Sequence, residues 1–421
     1  MSFSFILPIL TVGVGGYLLF FLKFFFVRHP LTTFKELSRS LEKKEARRSL
    51  SMALAGTLGV GNIFGVAAGI IIGGEGSVFW LFISSLFSAA VKYAEVLLSF
   101  SYISSPAPGM CGVLSLSYKK SGRLRAVFYA VFCIILSVSM GGVMQSRAVF
   151  SLSALSPLVS PYAVLFAFAF LCAISVCGGG DKIEKITAIV IPLTTLAYVF
   201  LSFSAIFCGT QSLYSVVVRI LRGAFSLKSA SGGILSFLFS KALGEGFARG
   251  IMSNEAGCGT SSFAHIRAVD RTPHEAGLFG ISEIIFDTVI LCPLTAFSIL
   301  SSVEDVTVYK TPMSLVGAAF SLSLGEWSLH LLTLLVFMFA FSTAVSQYYY
   351  GVSCFAFLTF GKYKFLFSLA FFTLLSFGAL LNEALILSFT DTAVTVLSFL
   401  TLSVIVRERK KIRELRASSL I

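Results

Sequence analysis

The stretch AGTLGVGNIFGVAAG, Ala55 to Gly69, lies in an apolar run where an uninterrupted membrane helix is expected, yet it holds five glycines with Thr57 and Asn62 among them. Each glycine inside a helix costs about 1 kcal/mol relative to alanine. Two explanations fit different parts of the stretch. Gly61, Gly65 and Gly69 recur every four residues and would let a neighbouring helix come close. Gly56, Gly59 and Gly61 share no helix face, and with Thr57 and Asn62 they predict a break at mid-membrane over Ala55 to Asn62. Gly59→Leu is then expected to abolish function, and Gly69→Ala to be mild.

The rest of the chain agrees with a membrane setting. Of its 421 residues 56% are hydrophobic and only 12% charged, where a soluble domain has about 25% charged, and its mean hydropathy is +0.91. So much apolar surface must face lipid. The formal charge of +12 would suit nucleic acid, but the basic residues sit in short loops between apolar runs, as topology signals do. The eight cysteines are scattered without a C-x-x-C pair, which argues against a zinc site or a disulfide framework.

Eleven spans are expected, near 5–26, 51–72, 77–101, 125–150, 160–178, 187–208, 212–243, 278–301, 328–352, 364–381 and 384–406. The first has no basic residue before it, unlike a cleaved signal peptide, so it is expected to stay as a helix with its N-terminus outside. On that topology the inside segments, 241–277 among them, hold 26 of the 32 Lys and Arg residues, and the C-terminus is cytoplasmic. Span 212–243 is long and polar, with Arg219, Gly223 and Lys228, and is expected to be a broken helix or a short half-helix followed by a second segment.

With the first helix set aside, ten spans form two sets of five, and an odd number per set inverts the second. Both opening helices, 51–72 and 212–243, are glycine-interrupted. Paired discontinuous helices point to an inverted-repeat secondary transporter with its site at the breaks. The expected organisation is an N-terminal helix and basic segment (1–50), a first repeat (51–208), a second repeat (209–406) and a basic tail (407–421).

The segments GTLGVGNIFGVA (56–67), GGEGSVFWLF (73–82), KYAE (92–95), ARGIMSNEAGCG (248–259) and FDTVILCPLTA (286–296) occur in this order. Through them, from about residue 5 to 406, the chain resembles the sodium:alanine symporters, also called the alanine or glycine:cation symporter family. The resemblance implies an all-α polytopic protein with the leucine-transporter five-plus-five inverted repeat and one extra N-terminal helix. It further implies sodium-coupled uptake of a small neutral amino acid across a bacterial inner membrane; apart from the resemblance, a monomer in the lipid bilayer with no nucleic-acid partner is expected.

It also implies roles for individual residues. Amides near Val60, Gly61 and Asn62 would hold a substrate carboxylate at a half-helix N-terminus. Carbonyls of Ala55, Leu58 and Phe339, with the hydroxyls of Ser342 and Thr343, would hold Na+. Thr57, Gln145, Thr343 and Gln347 complete the expected substrate-binding set. The chain departs from the family pattern at Leu81, Phe82 and Ser88, and above all at Gln347, where the family carries a pocket-lining tryptophan. A polar amide in that wall predicts substrates extending to somewhat larger or polar amino acids.

Other constellations are weighed beside these. Glu283 and Asp287 lie i,i+4 on one helix face and either share a proton or basic partner or line an inner vestibule. Asp287 would be the first suspect in a proton-coupled transporter of the same fold. Lys92 and Glu95, three apart, suit a structural pair near the inner membrane face. His265 and Asp270 have an acyltransferase-like spacing, a weak pointer to a membrane-embedded acyl-transfer enzyme.

Overall fold

A computed structural model describes residues 6–102, 109–155, 160–225, 241–267 and 271–418, and the described residues form helices and connecting turns without a strand. The chain begins with α1 (Ile6–Phe21) and α2 (Pro30–Ser40). The glycine-rich stretch follows as α3 (Lys44–Thr57) and α4 (Gly61–Gly73), which meet at a bend of 43°. Next come α5 (Ser77–Phe100), α6 (Gly112–Ser121), α7 (Arg123–Ser153), α8 (Pro161–Val176) and α9 (Gly179–Cys208). The short α10 (Leu213–Ala224) precedes α11 (Lys241–Asn254) and α12 (Ser262–His265). The chain closes with α13 (Pro273–Ser302), α14 (Pro312–Leu324), α15 (Trp327–Leu358), α16 (Lys364–Gly378), α17 (Glu383–Arg407) and α18 (Arg409–Ser418).

Among the described residues six helices (α5, α7, α9, α13, α15 and α17) are long and apolar enough to cross a membrane, and the bent pair α3–α4 makes a seventh. Large side chains such as Phe166, Phe200 and Phe207 point outward from α8 and α9 and are more than 70% exposed. In water such faces would drive association; hydrocarbon accepts them without cost.

The second broken helix is not where sequence patterning put it. Within 212–243, α10 is a short helix that stops at Ala224, Lys228 and residues 229–233 lie outside the described residues, and α11 is described from Lys241. Nor is 241–277 a cytoplasmic loop. Helix α11 is buried along most of its length, the chain unwinds after Asn254, and α12 resumes at Ser262. Its sequence, KALGEGFARGIMSN, misleads because glycines and ion-paired residues replace the expected apolar run. Gly246 and Gly250 let it lie against α5: a Cβ on either would fall 2.4 Å from the Ser77 carbonyl or 2.2 Å from Ser84 Oγ. On its other flank α11 meets the four-residue glycine repeat of α4. A Cβ on Gly61, Gly65 or Gly69 would lie 3.6, 2.8 or 3.2 Å from Ser253, Met252 or Arg249.

Arg249 is itself fixed, with Nη2 2.7 Å from Asp391 Oδ2 on α17 and Nε 3.2 Å from Glu245. Alanine at Gly69 therefore presses on a side chain held at its far end, and the substitution is less mild than the glycine spacing implies. Beyond the break Arg267 plays a matching part, with Nε 2.9 Å from Glu184 of α9 and further contacts to Asp181 and Tyr349. Each half of the second broken helix thus carries one arginine tied to other helices.

The second break places main-chain polar groups in an interior where each lacks water. Glu255, Gly257 and Gly259 have φ of +52°, +86° and +81°, so the path is left-handed at three places. Lys92 Nζ donates to the Asn254 carbonyl (3.0 Å), a cation at a helix C-terminus. Glu95 accepts from the Gly257 amide (2.8 Å). The two side chains, three residues apart on α5, therefore serve opposite polarities of one break rather than chiefly each other. Lys92 also pairs with Glu283 of α13 (3.2 Å), and Glu283 contacts His265 of α12. All three are fully buried, so Glu283 lines no vestibule.

Removing one member of such a pair strands a charge. Lys92→Met is expected to cost about 3–5 kcal/mol, and the double variant Lys92→Met/Glu283→Leu to recover part of it. Thermal unfolding of the detergent-solubilised protein measures both. Gly246→Leu, which overfills the α11–α5 contact, is expected to cost on the order of 1–3 kcal/mol in the same assay.

Candidate functional site

The first break is narrower than the sequence suggested. Helix α3 runs to Thr57, Leu58 leaves helical geometry at ψ 73°, and the chain is helical again from Gly61. Ala55 to Thr57 and Gly61 to Asn62 remain helical because Gly56 and Gly61 serve packing: a Cβ on Gly56 would lie 2.8 Å from the Tyr350 hydroxyl. Gly59 is the hinge itself. Its N–H turns to the Thr57 carbonyl (2.8 Å), not to that of Ala55 four residues back. A Cβ on Gly59 would lie 2.3 Å from Thr343 Oγ1, so α15 seals the hinge from the side.

The restarted helix begins with unspent amides, as every helix N-terminus does. Val60 N–H is taken by Gln145 Oε1 (3.2 Å), whose own Nε2 donates to the Met140 carbonyl (2.9 Å). Ile63 N–H bonds the Val60 carbonyl (3.0 Å). Gly61 and Asn62 are therefore the donors left for an anionic group, while Val60, expected to join them, is capped by Gln145.

Asn62 does more than lend its amide. Its Nδ2 donates to Asp287 Oδ1 (2.6 Å), which also accepts from Ser253 Oγ (3.1 Å). Thr288 Oγ1 donates to Asp287 Oδ2 (2.7 Å) and accepts from Asn254 Nδ2 (2.9 Å). One buried carboxylate of α13 thus joins both broken helices. Asn62 Oδ1 is left buried with no hydrogen-bond partner.

Helix α15 contributes Phe339, Ser342, Thr343 and Gln347, all buried. Ser342 Oγ donates back to the Phe339 carbonyl (2.9 Å), leaving its lone pairs open. Thr343 Oγ1 and Ser346 Oγ are buried without a hydrogen-bond partner. Thr57 Oγ1 folds onto its own helix, 3.3 Å from the Leu54 carbonyl, so its proton is not offered to a ligand. Gln347 is more than a pocket wall: its Nε2 donates to the Gly56 carbonyl (3.3 Å) and to Glu255 Oε1, linking the two breaks.

Three π-helical stretches meet here: Gly61–Gly65, Ser137–Met144 and Ile285–Leu291. Each carries or adjoins a site residue, Asn62, Gln145 or Asp287, and such turns are common at functional sites. Residue-by-residue reasoning left Ser253 and Glu255 out of the site. Their signal was the polar triplet Ser253-Asn254-Glu255 inside a glycine-flanked run, too polar for a span yet too glycine-rich for a solvated loop.

Buried neutral oxygens around Asp287 and Thr343 suit a hard monovalent cation. Among the described residues no three His, Cys, Asp or Glu side chains converge as a metal centre would require. His265 is engaged by Glu283, and Asp270, its expected catalytic partner, lies outside the described residues.

Comparison with known proteins agrees with this geometry. The family model described as "Sodium:alanine symporter family" matches residues 1–416. The uncharacterized transporter YflA of Bacillus subtilis is 32% identical, covering 85% of this chain and 78% of that protein. The sodium/alanine symporter AgcS of Methanococcus maripaludis is 28% identical over 97% of this chain and 94% of its own. The probable sodium/glutamine symporter GlnT of Bacillus subtilis is 29% identical, over 93% and 83%. Among solved structures, MhsT in complex with L-phenylalanine superposes with a TM-score of 0.52 at 18% identity, covering 84% of this chain and 87% of that one. The fold is accordingly of the leucine-transporter type, and the chain is a membrane transporter belonging to the sodium:alanine symporter family.

Proposed function

We propose that the chain is a secondary active symporter that carries a small neutral amino acid into the cell together with Na+ by alternating access. The observation that carries this reading is the pair of orphaned buried oxygens at the Leu58–Val60 break, Asn62 Oδ1 on the restarted helix and Thr343 Oγ1 packed against Gly59. A buried acceptor without a donor costs about 1–3 kcal/mol, and a bound cation removes that cost. The relatives named for sodium-coupled alanine and glutamine transport support the same ion and substrate class.

In this mechanism Na+ is a co-transported substrate. The carbonyls of Ala55, Leu58 and Phe339 with the hydroxyls of Ser342 and Thr343 hold it, and the Asp287 carboxylate beside Asn62 offers a second cation site. The amides of Gly61 and Asn62 hold the substrate carboxylate, and Gln145 keeps the hinge shaped for it. Ion and amino acid bind to opposite faces of one hinge, so each favours the backbone path the other needs, which is coupling in the thermodynamic sense. The site is complete within one chain, which suits a monomer. The basic segments orient it with the N-terminus outside and the C-terminus in the cytoplasm. The repeats are proposed to run over 51–208 and 209–406.

Purified protein in proteoliposomes is expected to accumulate labelled alanine with an inward sodium gradient and to lose that uptake when choline replaces sodium. Sodium-independent uptake driven by a pH gradient would instead assign coupling to Asp287. Thr343→Val is expected to raise the sodium concentration for half-maximal uptake by about tenfold or more, equivalent to ~1.4 kcal/mol. Gly59→Leu, which drives a side chain into Thr343, is expected to abolish uptake while the protein still inserts, as membrane fractionation would show.

A further inference from the structure

The Gln347 amide is fully buried between the two breaks, and chemistry allows it one orientation. Both groups on its inner edge, the Gly56 carbonyl and the Glu255 carboxylate, are acceptors. Nε2 must face them, so Oε1 turns away as an acceptor. That oxygen has no hydrogen-bond partner among the described residues, and neither has Ser346 Oγ beside it in sequence. Glu255 fixes this arrangement. Its carboxylate accepts from Gln347 Nε2 and Thr260 Oγ1, and its backbone is held at φ +52°, a conformation rare outside glycine.

Gln347, on α15, also packs against the face of α7 that shapes the hinge. A Cβ on Gly141 would fall 2.2 Å from Gln347 Cβ, and Gln145, one turn further along, caps the Val60 amide. The orphan oxygen thus sits beside the same hinge whose Gly61 and Asn62 amides are open.

From this geometry, and resting on the amino-acid symport proposed above, we infer that Gln347 Oε1, oriented by Glu255, recognises the side chain of the preferred substrates, which end in an N–H or O–H donor and are taken in preference to alanine. The substrate class is a neutral amino acid with a terminal amide or hydroxyl. Purely apolar side chains leave the oxygen unpaired, and the Glu255 carboxylate disfavours acidic ones.

The test is competition against sodium-dependent uptake of labelled alanine by the intact protein in proteoliposomes, with nearly isosteric pairs as competitors. Glutamine against methionine, and serine against 2-aminobutyrate, differ chiefly in the donor. Each donor-bearing member is expected to compete at a concentration at least about tenfold lower than its apolar partner. In Gln347→Met, of similar volume without the acceptor, the two members of each pair are expected to compete equally, while Gln347→Asn retains part of the preference. Equal competition within each pair in the unmodified protein overturns the inference, as does lysine competing better than glutamine. So does a Gln347→Met variant with the original ratios. Loss of all sodium-dependent amino-acid uptake in the unmodified protein would instead overturn the symport reading beneath it.

Discussion

A main-chain amide or carbonyl without a partner is tolerable in water and expensive in the middle of a membrane protein. This structure breaks two helices in such a place, and much of its polar chemistry follows from repairing them. Gln145 caps the Val60 amide, Gln347 reaches the Gly56 carbonyl, Lys92 the Asn254 carbonyl and Glu95 the Gly257 amide. Three helices, α5, α7 and α15, must hold their rotation about their own axes for these bonds to exist. The breaks therefore specify the packing around them as much as the packing supports the breaks.

Charged repair has its own consequence. Lys92, Glu95, Glu255, Glu283 and Asp287 are all fully buried, an excess of carboxylates over ammonium groups. Lys92 answers Glu283 directly. Asp287 and Glu255 face hydroxyl and amide donors instead, and both stand beside a break. Buried carboxylates that outnumber the ammonium groups beside them favour a cation nearby, which is the physical argument behind the sodium site proposed above.

Much of this was legible in residues 55–69, where glycines off one helix face announced a hinge and those on a four-residue repeat announced a packed neighbour. The family resemblance then carried Gln145, Thr343 and Gln347 to the hinge, where they are found. What escaped was the second break. Hydropathy measures average apolarity, and α11 buries itself by close glycine contact and ion pairing instead, so its polar sequence read as a loop. The partners of Lys92 and Glu95 escaped for a different reason: main-chain groups released by a break leave no mark in the sequence of the helix that answers them.

The π-helical turns at Ser137–Met144 and Ile285–Leu291 divide their helices into two angular frames, and the one at Gly61–Gly65 opens its helix. A π turn holds one residue more than an α turn, and each residue of an α-helix is worth about 100° of rotation. A helical wheel drawn through Gly141 or Asp287 thus mislabels every position on the far side. Loss of a single residue at either turn would restore ideal helix while swinging its outer half by roughly a quarter turn or more. Regularity is the state these helices avoid, and that irregularity lets one helix turn different faces inward at its ends and at its centre.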